Sequence, residues 1–169
     1  MKKSIIYSLI GLVILLTAFS SCNDTNDVAE IFTGKKWVLT YIARENDHKW
    51  YRFSGISDDN YMKYINKKTS FSLVFGGSEE DNVIRGNFTS DGSLVSAGNW
   101  NANAKNTDFK MYVNSSKITD SSDKLAAKIL EGMKNAYSYK GSDSYNLYLY
   151  YKQDIGGETL CMVFARANQ

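Results

Sequence analysis

The sequence predicts an α+β, β-rich domain of about seven mainly antiparallel strands with one amphipathic helix set before the last two. Three observations predict it. Apolar residues recur with period two over most of the chain after Trp37. The connections between the alternating runs are short and carried by Gly, Asn, Asp and Ser, since proline is absent. One stretch, from Ser121 to Tyr137, changes to helical spacing.

The chain opens with a segment of another kind. Lys2 and Lys3 precede an apolar run from Ile5 to Phe19, then Ser20-Ser21-Cys22 and a polar stretch. A run of roughly fifteen residues is short of the twenty or so that span a bilayer, so a removable signal fits better. A basic start, a short apolar run and small residues ending on cysteine are the layout of a bacterial lipoprotein signal. Phe19, where such sites commonly carry a leucine, is a departure. Residues 1–21 are thus expected to be removed and Cys22 to carry acyl chains, more than one of which is needed for stable attachment. Residues 22–32, polar as far as Asp27, are expected to form a flexible tether, and 33–169 a single globular domain.

The strands follow in order. Trp37, Leu39 and Tyr41 alternate with Val38, Thr40 and Ile42 after the Thr33-Gly34 turn; Phe71, Leu73 and Phe75 run to Gly76-Gly77. Val83 to Phe88 follows the acidic Glu79-Glu80-Asp81 connection as a hairpin, and Asp91-Gly92 is a two-residue turn signal leading to Leu94-Val95. Phe109, Met111 and Val113 form the next set. Tyr145, Leu147, Leu149 and Tyr151 then pair through Gly156-Gly157 with Leu160, Met162 and Phe164. Short connections make these neighbours antiparallel. In the helix, Leu125, Ile129 and Met133 lie four apart, with Ser121 or Ser122 placed to cap it. Gly132 costs about 1 kcal/mol there relative to alanine, which a close approach of helix to sheet would offset. Residues 45–68 lack a clear period, although Tyr61, Met62 and Ile65 are spaced for a short helix over Asp58 to Ile65.

Two families resemble parts of this pattern. Gly34-Lys35-Lys36-Trp37-Val38-Leu39 resembles the opening strand of META-domain (HslJ-like) envelope proteins. Asp123 to Met133, followed by Tyr137-Ser138-Tyr139 and Leu147-Tyr148-Leu149, resembles their helix and next strand, and Glu158 to Phe164 their closing strand. The family's central Gly-Cys-Asn segment has only Ala97-Gly98-Asn99-Trp100 as counterpart, without the cysteine. The resemblance implies an open or cracked barrel packed on the helix, and no catalytic residues. A lipocalin-like lipoprotein is the rival, since a Gly-x-x-Trp strand also opens that fold, but its helix follows all the barrel strands.

Charge and chemistry narrow the function. Loss of residues 1–21 removes two lysines and no acid, leaving 18 basic against 18 acidic residues, so there is no electrostatic basis for binding nucleic acid. With Cys22 acylated, Cys161 has no disulfide partner; set between Leu160 and Met162, it reads as a buried small side chain. His48, the one histidine, stands near Glu45 and Asp47 on an irregular loop, which is ordinary solvated surface. No phosphate loop or metal-ligand spacing is present, and no cofactor, metal or enzymatic activity is expected. The excess is aromatic: 3 Trp, 8 Phe and 12 Tyr, with tyrosines gathered around 51–64 and 137–151. Tyr148 and Tyr150 fall on the strand face opposite Leu147 and Leu149. With Trp50 and Tyr51 they are the candidate ligand contacts, suited to stacking on sugar rings or lining a lipid site.

The expected function is that of a non-enzymatic lipid-anchored protein, binding or scaffolding at the bacterial outer membrane, on its periplasmic or its surface-exposed face. A barrel-type carrier of a lipid or other small apolar ligand and a glycan-binding accessory lipoprotein are the alternatives. Its expected partners are the membrane, through acylated Cys22, and an envelope protein, lipid or glycan.

Overall fold

Strands that follow one another in the chain lie side by side in the computed structural model, which describes residues 24–45, 47–141, 145–155 and 157–167. The order is α1 (Asp24–Phe32), β1 (Lys36–Arg44), α2 (Asp58–Ile65), β2 (Phe71–Glu80), β3 (Val83–Gly92), β4 (Leu94–Asn103) and β5 (Phe109–Ile118). Then come α3 (Lys124–Asn135), β6 (Ala136–Gly141), β7 (Asn146–Lys152) and β8 (Thr159–Arg166). All eight strands form one antiparallel sheet in the order β5-β4-β3-β2-β1-β8-β7-β6. Because β8 returns to lie beside β1, the meander curls round on itself and leaves a seam between β5 and β6. The seam is crossed at one point, where Asp108 and Ser138 form an isolated bridge and Tyr139 N–H donates to Thr107 O at 3.1 Å. This is an open, cracked barrel.

Hairpin chemistry fixes the register. Asp81 and Asn82 both take positive φ, 53° and 63°, the two-residue turn whose twist matches the strands it joins. Gly92, at φ 98°, has no room for a side chain, since a Cβ there would lie 2.0 Å from Ser70 O.

The interior is aromatic and apolar. Trp37, Phe71, Leu73, Phe109, Leu147, Leu149, Leu160, Met162 and Phe164 are all fully buried. Helix α1 packs against β2, and α2 against α3. Helix α3 has an apolar face of Leu125, Ala126, Ile129, Gly132 and Met133 and packs across β5 and β7. A Cβ at Gly132 would lie 3.0 Å from Met162 Sδ and 3.1 Å from Tyr151 Cε1, which is the close approach expected of a glycine in that place. Asp123 caps the helix, accepting from Ala126 N–H at 3.0 Å, and accepts a second bond from Tyr64 Oη at 2.9 Å, tying α3 to α2. The serines expected to do this, Ser121 and Ser122, stand two and one residues too early; Ser122 Oγ instead donates to Asp120.

Several expectations change. There are eight strands rather than seven, and three of them follow α3, because β6 begins where the sequence reads the end of the helix. Helix α2 has the expected bounds, but its buried face is Tyr61 and Tyr64, while Met62 and Ile65 are exposed. The largest correction concerns 22–32. Asp24–Phe32 is helical, Val28 and Ile31 are buried, and Phe32 lies fully inside the barrel, so the globular unit includes α1. The Phe32 ring is stacked on Phe109 at 5.3 Å and 8°, and meets Trp100 at 4.7 Å, Tyr139 at 5.0 Å and Phe75 at 5.3 Å. The expected signal segment 1–21 and Cys22 lie outside the described residues. Among the described residues no helix is long and apolar enough to cross a membrane.

Candidate functional site

The outer face of β1, β8 and β7 carries a hollow, and the strand register explains it. Tyr41 pairs with Val163, which pairs with Tyr148; Ala43 pairs with Cys161, which pairs with Tyr150. Each row thus sets a small residue of β8 beside tyrosine. The result is a recess with a floor of Cys161 and Val163, walls of Tyr148 and Tyr150, and a volume of about 210 Å³. Cys161 and Val163 point away from the core, since Leu160, Met162 and Phe164 fill it, yet they are only 3% and 5% exposed. The tyrosines and the turn after β1 roof them over.

That turn supplies the rim. Leaving β1 at Arg44, the chain folds back along the outer face, bringing Glu45, Asp47 and His48 round the recess opposite Lys140 of β6. Tyr41 Oη lies 3.3 Å from His48 Nδ1, and Asp47 Oδ1 accepts from His48 N–H at 2.8 Å. The chain then returns to the other edge of β1, where Tyr51 N–H donates to Ile42 O at 2.6 Å. Arg44 is occupied by its ion pair with Glu158, which also accepts from Tyr51 Oη at 2.7 Å. These partners, Arg44 first, hold the Glu158 carboxyl below its usual range.

The ionisation of the recess follows from its burial. Burial pushes the Cys161 thiol up to about 12, with Glu45 adding to the shift, so the thiol stays protonated at neutral pH and is no nucleophile. Burial also raises the hydroxyls of Tyr150 and Tyr41, with Cys161 and Tyr148 adding to each. Both remain neutral groups able to donate or accept a hydrogen bond. Glu45, Asp47 and His48 share the rim, but among the described residues no three His, Cys, Asp or Glu side chains are grouped to hold a metal ion. A neighbouring hollow of about 340 Å³ shares Glu45, Lys140 and Tyr150 with the first and continues along β6 to Tyr137.

A profile for DUF4847, a domain of unknown function, matches residues 23–166. The chain belongs to the DUF4847 family. The match begins one residue after Cys22 and so takes in α1. The fold is similar to that of a crystallised DUF4847 family protein from Bacteroides vulgatus ATCC 8482, with a TM-score of 0.52 and 20% sequence identity. The alignment covers 84% of this chain and 99% of that one. At that identity the likeness concerns the fold alone. No curated protein matches.

The four aromatic residues singled out from this DUF4847 sequence separate into two pairs. Tyr148 and Tyr150 line the recess, half-buried. Trp50 and Tyr51 belong instead to a lid over the end of the barrel. Trp50 meets Tyr61 at 5.8 Å and 71° and Tyr64 at 5.9 Å and 60°, while Tyr51 packs edge-on against Phe53 at 4.8 Å. No coplanar platform forms there. Sequence reasoning missed Tyr41, Lys140 and the Val163 floor. The missing signal was the pairing of β1 with β8, a contact between the two ends of the chain.

Proposed function

We propose that this DUF4847 protein is a non-enzymatic, lipid-anchored envelope protein that acts by binding, with its ligand seated in the outer recess between Tyr148 and Tyr150. The observation that carries the reading is the recess itself: aromatic walls over a small apolar floor, with polar groups converging at the rim, the usual make-up of a ligand site. The signal-like start, ending on Cys22, supports attachment to the bacterial outer membrane, on either its periplasmic or its surface side. The META-like arrangement is supported by the cracked barrel and by α3 preceding the closing strands. The carrier alternative fares less well, because Phe71, Leu73, Phe109, Leu147 and α3 occupy the space an interior ligand would need.

Two measurements test the proposal. Cys22→Ala should abolish incorporation of labelled fatty acid and release the protein from membranes; unchanged partitioning of the variant would overturn the anchor. For the site, fluorine NMR of fluorotyrosine-labelled protein would be recorded against mixtures of sugars, fatty acids and amino acids. Hits should move the Tyr148 and Tyr150 signals. Hits that perturb only interior tyrosines such as Tyr139 and Tyr151 would transfer the site to the barrel interior.

A further inference from the structure

The recess is one end of a longer groove. Its neighbour shares Glu45, Lys140 and Tyr150 with it, and at Tyr137 that hollow adjoins a third, of about 620 Å³, beside the C-terminal end of α3. The three hollows follow β6, the edge strand of the sheet. Ala136 to Lys140 alone accounts for about 13 Å of strand.

The side chains presented along this path are of two kinds. Tyr137, exposed, and Tyr148 and Tyr150, half-buried, supply aromatic rings. Lys110, Lys134 and Lys152 surround the far hollow, and Lys140 stands between the other two. None of these four lysines belongs to an ion pair among the described residues, whereas Arg44 is taken by Glu158 and Lys128 by Glu131. Asp154, which accepts from Asn135 Nδ2 at 2.6 Å, sets one carboxylate against three ammoniums in the far hollow. Asp47 stands at the opposite end, around the first recess, and Glu45 lines both that recess and the middle hollow. The groove therefore has a cationic end and a mixed polar end, joined by aromatic walls.

We infer that the groove along β6 binds an acidic oligosaccharide, a short chain of uronic-acid type. The sugar faces stack on Tyr150 and Tyr137, and the carboxylates meet Lys134, Lys152 and Lys110. This rests on the reading of the outer recess as a binding site and names the ligand class for it. Ring faces serve flat apolar sugar surfaces, and unpaired ammoniums recognise anions without demanding a fixed geometry. An extended acidic peptide would be expected to add to the sheet edge through backbone hydrogen bonds. That edge is already engaged where the seam is bridged, because Tyr139 N–H donates to Thr107 O.

The test is calorimetric titration of the full chain, purified in mild detergent, with tetragalacturonate, neutral β-1,4-galactotetraose and polyglutamate. Tetragalacturonate should bind, with affinity that falls as salt rises. The double variant Lys134→Ala/Lys152→Ala should lose at least about tenfold in affinity. Tyr150→Ala should weaken binding as well, and neutral galactotetraose should bind at least about tenfold more weakly than the acid. Circular dichroism matching that of the parent would show that the variants are folded. The inference is overturned if no oligosaccharide binds, if galactotetraose or polyglutamate binds as tightly, or if the lysine pair has no effect. Neutral-sugar binding that is lost in Tyr150→Ala but indifferent to the lysines would overturn the acidic ligand and leave the recess standing. Binding of every probe unaffected by Tyr148→Ala and Tyr150→Ala would overturn both.

Discussion

Replacing Phe32 by alanine should cost this fold more than almost any other single truncation. The ring is fully buried and touches four other rings, one of them in parallel stacking. Removing a buried phenylalanine costs about 3–5 kcal/mol, and ring pairs add about 0.5–1.5 kcal/mol each beyond burial, which places Phe32 near the top of that range. A domain of this size has roughly 7–20 kcal/mol in all at about 0.05–0.15 kcal/mol per residue, so a large share of its stability is at stake. With a urea dependence of about 2 kcal/mol per molar, the midpoint should fall by roughly 2 M. The assay is equilibrium urea unfolding followed by tryptophan fluorescence on a chain covering residues 23–169, its Phe32→Ala variant, and a chain beginning at residue 33. A midpoint shift of less than about 0.5 M, corresponding to ~1 kcal/mol, would refute the packing argument. Equal midpoints for the two starting points would restore the idea of a free tether.

Other consequences are open to measurement. Asp123→Ala removes the α3 cap and leaves Tyr64 Oη buried without its acceptor, at about 0.5–2 and 1–3 kcal/mol respectively. Thermal melts should fall by several degrees, and the Asp123→Ala/Tyr64→Phe double variant should cost less than the sum of the single ones. Gly132→Val should destabilise by about 1–3 kcal/mol, because its side chain would press on Met162 and Tyr151; a neutral effect would mean that α3 can move off the sheet. Stability should also decline in alkali. The Cys161 thiol is raised by burial, so the stability it contributes is complete below its ordinary value near 9 and drains away as pH rises toward about 12. The slope it adds is at most about 1.4 kcal/mol per pH unit. Denaturation curves at pH 8, 9 and 10 should separate less for Cys161→Ala than for the parent, and identical separation would contradict the burial argument.

Where one face of a strand is buried and the other wet, the sequence is easily read. Leu147, Leu149 and Tyr151 alternate as the sheet requires, and Leu125, Ile129 and Met133 keep helical spacing. Strand β6 escaped because a register shift between Ala136 and Ser138 breaks its period, leaving Ala136 and Tyr139 buried three apart. Helix α1 escaped for a different reason. Among its described side chains Val28, Ile31 and Phe32 are the buried ones, and nine residues are too few to hold a helix alone. Tertiary burial of Phe32 decides that segment, and no local pattern reports it. In the recess, Tyr148 and Tyr150 were legible from their own strand. Val163 and Tyr41 depend on a pairing between residues more than a hundred positions apart.

Helix α1 also sets a stand-off height. In the proposed acylated state, Val28, the first described side chain packed on the barrel, stands six positions after the lipid-bearing Cys22. From Asp24 to Val28 the helix rises about 6 Å, and the two links before it add no more than about 7 Å. A domain of this size has a radius of gyration of roughly 15 Å, so the leash is shorter than the body it holds. Such a body cannot tumble freely. The barrel end that receives α1 would stay toward the bilayer, the Trp50 and α2 lid would point outward, and β6 would stand edgewise between them. The protein would search for its ligand by gliding in two dimensions, with its groove held at a fixed level above the lipid.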